Sequence, residues 1–284
     1  MCGRYAASKD HAELVVEFDV EVDATGEPAR SVLAAPQDPP AGSPDWNMAP
    51  TKQAPVVLTR PRRGGRTDPD SAAAAAVRQL RLLSWGLVPS WAKDVKAGAR
   101  MVNARAESVL AKPAFARAFA RRRCLVPAAG WYEWQVSPTV TDRSGRPRRQ
   151  PFYVHRGDAA TLAMAGLYEF WRDPAVADPD DPAAWLTSFT ILTTAAEPGL
   201  DRIHERQPLV LEPADWARWL DPAVVDPDAV ADLLTGPAAG RFAAYPVDSA
   251  VNTTGNNGPG LLAPVDPAQL RGVVDPVTGE ILGT

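Results

Sequence analysis

The sequence predicts a mixed α+β fold, with a core of mixed strands and helices at its periphery. Three observations carry that expectation. Short apolar runs of strand type outnumber long stretches with helical spacing. Strands and helices do not alternate regularly, which argues against a doubly wound sheet. No repeat and no clear interior linker interrupts the 284 residues, 45% of them hydrophobic, so the chain reads as one domain over 1–284 carrying insertions.

In chain order, an N-terminal strand precedes a short helix around Leu14–Val20. Residues 21–45 are rich in Pro, Gly and Asp and read as a loop insertion. Trp46–Pro50 leads into a strand at Ala54–Thr59, and residues 60–78, with Arg, Gly, Asp and an alanine run, form a second insertion. Leu80–Trp85 reads as a strand. Apolar residues at helical spacing, with Phe115 and Phe119 four apart, predict a helix over Ala104–Ala120 that Pro113 breaks early. Cys124–Pro127 and Gly130–Val136 read as strands, the latter joined to Phe152–His155 by a hairpin-like insertion at 137–150. Leu162–Trp171 and Phe189–Thr194 are further strands, separated by an acidic, proline-rich loop. Pro213–Leu220 and Pro227–Leu234 read as short helices with proline in the first turn. The tail 255–284 is rich in Gly, Pro and Asn and reads as loop.

No window reaches the ~20 apolar residues of a membrane span, and the start lacks the basic-then-apolar pattern of a signal peptide. Two cysteines, Cys2 and Cys124, make no disulfide framework. These features describe a soluble, cytoplasmic protein, with Cys124 as an inert core residue. The net charge of −4 hides an asymmetry: residues 60–149 hold 19 Lys+Arg against 6 Asp+Glu, and the remainder holds 11 against 28. A basic segment in an acidic chain suits a polyanion, although solvated arginine loops give the same pattern.

The residue with the most chemical content is Cys2. A small residue there permits removal of Met1, and the mature chain then starts with an α-amine and a thiol on one residue. Such a pair traps aldehydes: the amine condenses to a Schiff base and the thiol closes a thiazolidine ring, intramolecularly. An α-amine of pKa ~7.8 is roughly one-third free base near neutrality, against about 0.1% for a lysine of pKa ~10.4. The plainer alternative is an incidental cysteine at a frayed terminus. Among the three histidines, His204 sits in a loop between Ile203 and Glu205 and is the best acid–base candidate; His11 and His155 read as surface and structural residues. Glu133, among Trp131, Tyr132 and Trp134, would have a raised pKa if the aromatics desolvate it; a solvent-facing strand position is the alternative. Asn103 and Arg105 project the same way if the backbone is extended, or else Asn103 caps a helix. Trp85 and Trp91 bracket a turn-like stretch, and indoles beside arginines suit stacking on unpaired bases or ordinary core packing. Metal-ligand spacings, a GxGxxG and a P-loop are absent, so neither a metal nor a nucleotide cofactor is expected.

Seven segments, in order, resemble one known family: Met1–Tyr5, Asn47–Thr51, Trp85–Ala92, Asn103–Glu107, Arg122–Trp134, Thr193–Ala195 and Ile203–Arg206. The chain resembles the SRAP family of abasic-site processing proteins over most of residues 1–211. The resemblance implies a distorted β-barrel core and a covalent chemistry. Cys2 would attack the ring-opened aldehyde of an abasic site in single-stranded DNA, forming a thiazolidine crosslink. Asn103 would orient the Cys2 amine, Glu133 would shuttle protons, and His204 would assist ring opening. Arg4, Arg105 and Arg206 would hold phosphates, Trp85 and Pro50 would pack on bases, and Thr193 would line the groove. It also implies no cofactor, a monomer that associates with the nucleoid when bound to DNA, lyase chemistry from the Schiff base, and self-cleavage ahead of Cys2. The histidine segment departs from the family pattern at Glu205 and Gln207, where Asp and Met are expected. An N-terminal cysteine amidohydrolase and a non-enzymatic single-strand-binding module are the competing readings.

Overall fold

The computed structural model describes residues 2–61, 76–178, 180–235 and 240–283. Most of the insertion expected at 60–78 therefore lies outside the described residues. In chain order the strands are β1 (Arg4–Ala7), β2 (Val22–Asp23), β3 (Asp45–Met48), β4 (Gln53–Pro61), β5 (Ala76–Trp85), β6 (Asn103–Arg105), β7 (Arg123–Ala128), β8 (Gly130–Thr141), β9 (Pro147–Arg156), β10 (Leu162–Arg172), β11 (Trp185–Ala195), β12 (Arg206–Pro208) and β13 (Phe242–Pro246). Among the described residues three α-helices accompany them: α1 (His11–Glu17), α2 (Pro113–Arg121) and α3 (Pro213–Leu220). A final pair, β14 (Val273–Val274) and β15 (Ile281–Leu282), lies in the tail.

The larger sheet runs β12-β11-β10-β7-β4-β5-β2, and β11 also pairs in parallel with β5, at Ser188↔Ser84 and Phe189↔Trp85. That short pairing closes β4, β5, β7, β10 and β11 into a five-stranded barrel of mixed direction, as the family resemblance implied. The smaller sheet, β13-β9-β8-β1-β3, is antiparallel throughout. Strand alternation sorts the side chains between layers. Val56, Leu58, Leu83, Trp85, Val126, Met164, Phe189 and Ile191 fill the barrel interior, where Cys2, Tyr5, Met48, Trp131 and Phe152 of the smaller sheet's side join the same core. The opposite face of the barrel, with Val57, Leu80, Leu125 and Leu192, is covered by α1, α2 and α3. Phe18 stacks on Trp216 at 4.4 Å, and Trp219 meets Phe119 edge-on.

Several elements differ from the sequence expectation for local reasons. The helix expected over Ala104–Ala120 begins only at Pro113, which occupies its first turn; there the missing N–H would be unpaired anyway, so Pro113 starts the helix it was expected to break. Residues 103–105 are instead β6, held in parallel register against β11. The hairpin expected to loop over 137–150 is mostly strand, turning at 142–146 on Asp142, whose carboxylate accepts from Ser144 and Arg146 backbone N–H groups. The chain beyond 253 is tied to the smaller sheet: Asn47, fully buried, donates through Nδ2 to the carbonyls of Thr253 and Asn256, both at 3.0 Å. Among the described residues no helix is long and apolar enough to cross a membrane.

Arg123 joins the helical layer to the barrel. It is 4% exposed and donates to the Phe119 and Ala120 carbonyls at the end of α2, to Trp219 O in α3, and to Asp221 O and Val224 O beyond it. Helix-end carbonyls have no intrahelical partner, so one guanidinium satisfies two helix ends at once. Arg123→Met is expected to lower stability by about 3–5 kcal/mol, because buried acceptors lose their donor. Urea unfolding followed by tryptophan fluorescence reads this, and a loss below about 1 kcal/mol would contradict it.

Candidate active site and nucleic-acid interface

Cys2 precedes β1 and is completely buried. Its position is set by two neighbours on different sheets. β1 pairs with β8 through Arg4↔Tyr132 and Tyr5↔Trp131, which brings the chain start alongside Glu133. From the barrel side, Asn103 on β6 donates its Nδ2 to the Cys2 carbonyl at 2.7 Å. Asn103 Oδ1 is buried and has no hydrogen-bond partner among the described residues. One amide thus clamps the backbone of Cys2 and keeps an acceptor in reserve beside it. Asn103 reaches this point because the chain crosses itself after β5: a Cβ on Gly86, at φ +125°, would lie 2.7 Å from Gly98 O, so only bare backbones pass this closely. Asn103 is a strand residue here, not a helix cap.

Glu133 shares its strand face with Trp131 and is 4% exposed, so it does not point to water. Burial raises its pKa to about 7, against the opposing positive charge of the chain's amino terminus. Burial, reinforced by the Glu133 charge, pushes the Cys2 thiol far above its ordinary range, so it stays protonated at neutral pH. His204 and Arg206 line one small cavity with Glu133, Trp131 and Gln207. The His204 Nδ1 accepts from the Arg206 backbone N–H at 3.0 Å, so in the neutral ring the proton sits on Nε2. Burial lowers the His204 pKa, helped by the amino-terminal charge, and the neutral ring prevails near pH 7.

The arginines differ in commitment. Arg206 holds both oxygens of Glu107, at 2.6 and 2.9 Å, and donates to Thr193 O; this pair depresses the Glu107 pKa. Arg105, on β6 across β11 from Arg206, is exposed, while Thr193 is 1% exposed and lies beneath Arg206. Arg4 donates to Asn47 Oδ1 at 2.7 Å and Val251 O at 2.8 Å, and its Nη2 arm reaches Asn252 O at the exposed edge. Pro50 is half-buried, next to Thr51 at φ 76°, whose N–H donates to Trp85 O. A non-glycine residue in that conformation is strained, as is common where a loop must be aimed.

Trp85 corrects an expectation. It is 1% exposed, meets Tyr5 edge-on at 5.0 Å, stacks on Phe189, and donates its indole N–H to Val102 O. As the last residue of β5 it has the parity of the barrel interior, so no base can reach it. Of this motif's two indoles, the one on the surface is Trp91, 66% exposed. Its signal was in the same motif, six residues on, past the turn at Gly86 that carries the chain out of the barrel. Glu107 and Asn47, which hold Arg206 and Arg4, were also within the motifs but without an assigned role. Cys124 is a fully buried core residue. No group of three or more His, Cys, Asp or Glu that could hold a metal occurs among the described residues.

Comparison with known proteins gives consistent relatives. Residues 1–254 match the family described as SOS response associated peptidase (SRAP). The Abasic site processing protein YoqW of Bacillus subtilis is 31% identical, over 92% of this chain and 99% of its own. The Abasic site processing protein HMCES of Pongo abelii is 30% identical, over 81% of this chain and 68% of its own. Among solved structures, a Bacteroides thetaiotaomicron protein superposes with a TM-score of 0.68 at 19% identity, over 93% of this chain and all of that one. A Bordetella bronchiseptica protein gives 0.61 at 22% identity, over 87% of this chain and all of that one. These two establish likeness of fold.

Proposed function

The chain belongs to the SOS response-associated peptidase family, and from that premise we propose that it captures abasic sites in single-stranded DNA as a covalent thiazolidine at Cys2, shielding them from cleavage during repair. The observation that carries this reading is the Asn103 clamp on Cys2, with its spare acceptor, next to a carboxyl group whose pKa is about 7.

While Met1 is attached, the Cys2 nitrogen is an amide and cannot attack. Once Met1 is removed, the free α-amine donates to Asn103 Oδ1 and adds to the ring-opened sugar aldehyde. The carbinolamine loses one water to give the imine. Because the thiol is protonated, the amine acts first; the S–H then adds across C=N. An S–C bond forms, and the thiol proton passes through Glu133 to the ring nitrogen. A carboxyl group of pKa near 7 both accepts and returns protons at neutral pH. The His204 Nε2–H donates to the sugar oxygen and favours the open aldehyde. β-Elimination from the same imine supplies a lyase side reaction. The protein acts in the cytoplasm as a monomer, without a cofactor.

Phosphates engage Arg105 and Arg206, for which Arg206 exchanges Glu107 for phosphate, and the exposed Nη2 arm of Arg4. Pro50 and Trp91 flank the strand, with Thr193 supporting the floor. Trp91→Ala is expected to weaken binding of an undamaged single strand about tenfold, the worth of one stacked base. Trp85→Phe should instead lower thermal stability and leave affinity within twofold. Fluorescence anisotropy at fixed salt separates the two, and equal affinities for wild type and Trp91→Ala would remove Trp91 from the interface.

The direct test incubates the purified protein with a single-stranded oligonucleotide carrying one abasic site. Intact mass first establishes that Met1 is gone. An SDS-resistant band with the abasic strand, absent with the intact one, is expected; a cysteine-initiated protein that leaves the abasic strand unmodified would refute the proposal.

A further inference from the structure

The arginine-rich stretch at 143–149 is not a detached loop; it forms the turn and returning strand of the β8–β9 hairpin. The two strands pair through Val136↔Arg149 and close at Thr141↔Pro147, with a register shift between. Alternation divides the hairpin into two faces. Gln135, Ser137 and Gln150 are buried, and Gln135 donates to Arg202 O and Val274 O, which ties this inner face to the tail. Trp134, Val136 and Arg149 belong to the outer face, where Val136 and Arg149 are exposed. Here lies a groove of about 570 Å³, lined by Val136, Asn252, Arg146, Arg148 and Arg149, with Asp142 as its one carboxylate among the described residues.

These charges are unequally committed. The Asp142 carboxylate accepts from the backbone N–H groups of Ser144 and Arg146 and from the Ser144 hydroxyl, so it holds the turn. It lies 3.9 Å from the Arg146 Nε, both side chains exposed, a pair worth little in water. Arg148 donates to Gln150 Oε1 and Arg271 O. The Arg149 guanidinium is held by no carboxylate among the described residues.

The groove is continuous with the Cys2 site. Arg4 lies opposite Tyr132 on β8 and Arg149 lies opposite Val136, so Arg4, Trp134, Val136 and Arg149 share one sheet face. Four residues of β8, about 14 Å at the strand rise, separate the two arginines. Asn252 bridges the interval: its side-chain oxygen accepts from the Trp134 indole N–H at 2.7 Å, and its carbonyl from Arg4 Nη2 at 3.3 Å. Burial first, then the amino-terminal charge, lower the His204 pKa, and the charge of Arg149 adds to them.

Stability gives no reason to gather like charges on one face and leave Val136 in water. A polyanion with apolar parts does: its phosphates take the guanidiniums, and its sugars and bases cover Val136. A strand whose backbone meets the exposed arm of Arg4 has this groove in its path. We propose that the outer face of the β8–β9 hairpin, through Arg146 and Arg149, holds the single strand that flanks the abasic nucleotide on one side. The inference rests on the reading of the chain as an abasic-site protein and extends its footprint beyond the reacting nucleotide. Because the groove lies to one side of Arg4, it serves one flank only.

The test is fluorescence anisotropy with a single strand carrying a central tetrahydrofuran, an abasic analogue that cannot open to an aldehyde, and with the same strand truncated on its 5′ or its 3′ side. Arg146→Ala/Arg149→Ala is expected to bind the full strand about tenfold more weakly, with a log–log salt slope shallower by about 1.4, the share of two phosphates. Removing one flank, and not the other, should abolish the difference between wild type and variant. Urea unfolding checks that these exposed substitutions leave the fold intact. Arg117→Glu, exposed on α2 across the barrel, changes the net charge equally and should leave affinity unchanged. A loss below about threefold in the double variant, or a loss that both flanks or neither governs, overturns the proposal. So does displacement of the strand by a polyglutamate peptide as readily as by an oligonucleotide, which would assign the groove to acidic proteins. A true abasic site in the same strand, offered to the wild-type protein, reads the Cys2 chemistry separately. No adduct there refutes the capture reaction, whereas an adduct together with unaltered affinity in the double variant refutes only the hairpin.

Discussion

Cys2→Ala is expected to eliminate the SDS-resistant adduct with an abasic single strand. Alanine permits removal of Met1 equally well, so the variant retains an α-amine but has no thiol to close the ring. The imine should still form and then hydrolyse on denaturation. Borohydride, which reduces an imine to a stable amine, should therefore restore a band in Cys2→Ala. The loss without reductant should be complete, because ring closure is the step that makes capture persist, and an intramolecular thiol has no substitute in solution. A stable adduct formed by Cys2→Ala without reductant would exclude the thiazolidine. Failure of the trapped band would mean that the amine is not the first nucleophile.

The second large effect belongs to Glu133. Glu133→Gln removes the proton carrier while preserving shape, and the rate of adduct formation at pH 7 should fall about 10²–10⁴-fold. The wild-type rate should change slope near pH 7, where this carboxyl group titrates, and the variant should lose that inflection. Stability should move in the opposite direction. The native carboxyl group titrates at about 7, whereas in the unfolded chain it returns to about 4.5. Across that window the native state binds more proton than the unfolded state, so stability declines as pH rises from 4.5 to 7 and is level above. The burden is roughly 3 kcal/mol at pH 8. Glu133→Gln should thus be more stable than wild type at pH 8 and nearly equal at pH 4.5, read by urea unfolding at both. A variant with full activity and an unchanged pH profile would remove Glu133 from proton transfer; a variant less stable at pH 8 would show that burial is not what raises its pKa. A site that is slower but more stable when neutralised is the pattern expected where function is held at a cost in stability.

Most strands were legible because each apolar run is bounded by turn residues, and the short helix Pro213–Leu220 because proline opens it. The helix expected from Ala104 was not. Its apolar spacing suits a helix, but residues 103–105 gain more from ladder pairing with β11 than from local propensity. The barrel itself came from family likeness, since its closure depends on two residue pairs, Ser188↔Ser84 and Phe189↔Trp85, that are about a hundred positions apart. Within the site, the motifs contained the right residue types but not their exposure. Trp85 and Trp91 belong to one motif, and which indole faces solvent depends on parity and on the turn at Gly86.

By itself, the sequence determined which reactive groups are present: a cysteine at position 2, a glutamate among aromatics and a histidine beside Ile203, in the order one family shares. Tertiary structure alone decided what each group can do. It brought Asn103 to the Cys2 carbonyl across 101 positions and buried Glu133 until its pKa approached neutrality. The reason is physical. Covalent reactivity resides in a side chain and is written in its letter, whereas desolvation, charge proximity and reach depend on the distances between residues, which only the folded chain sets.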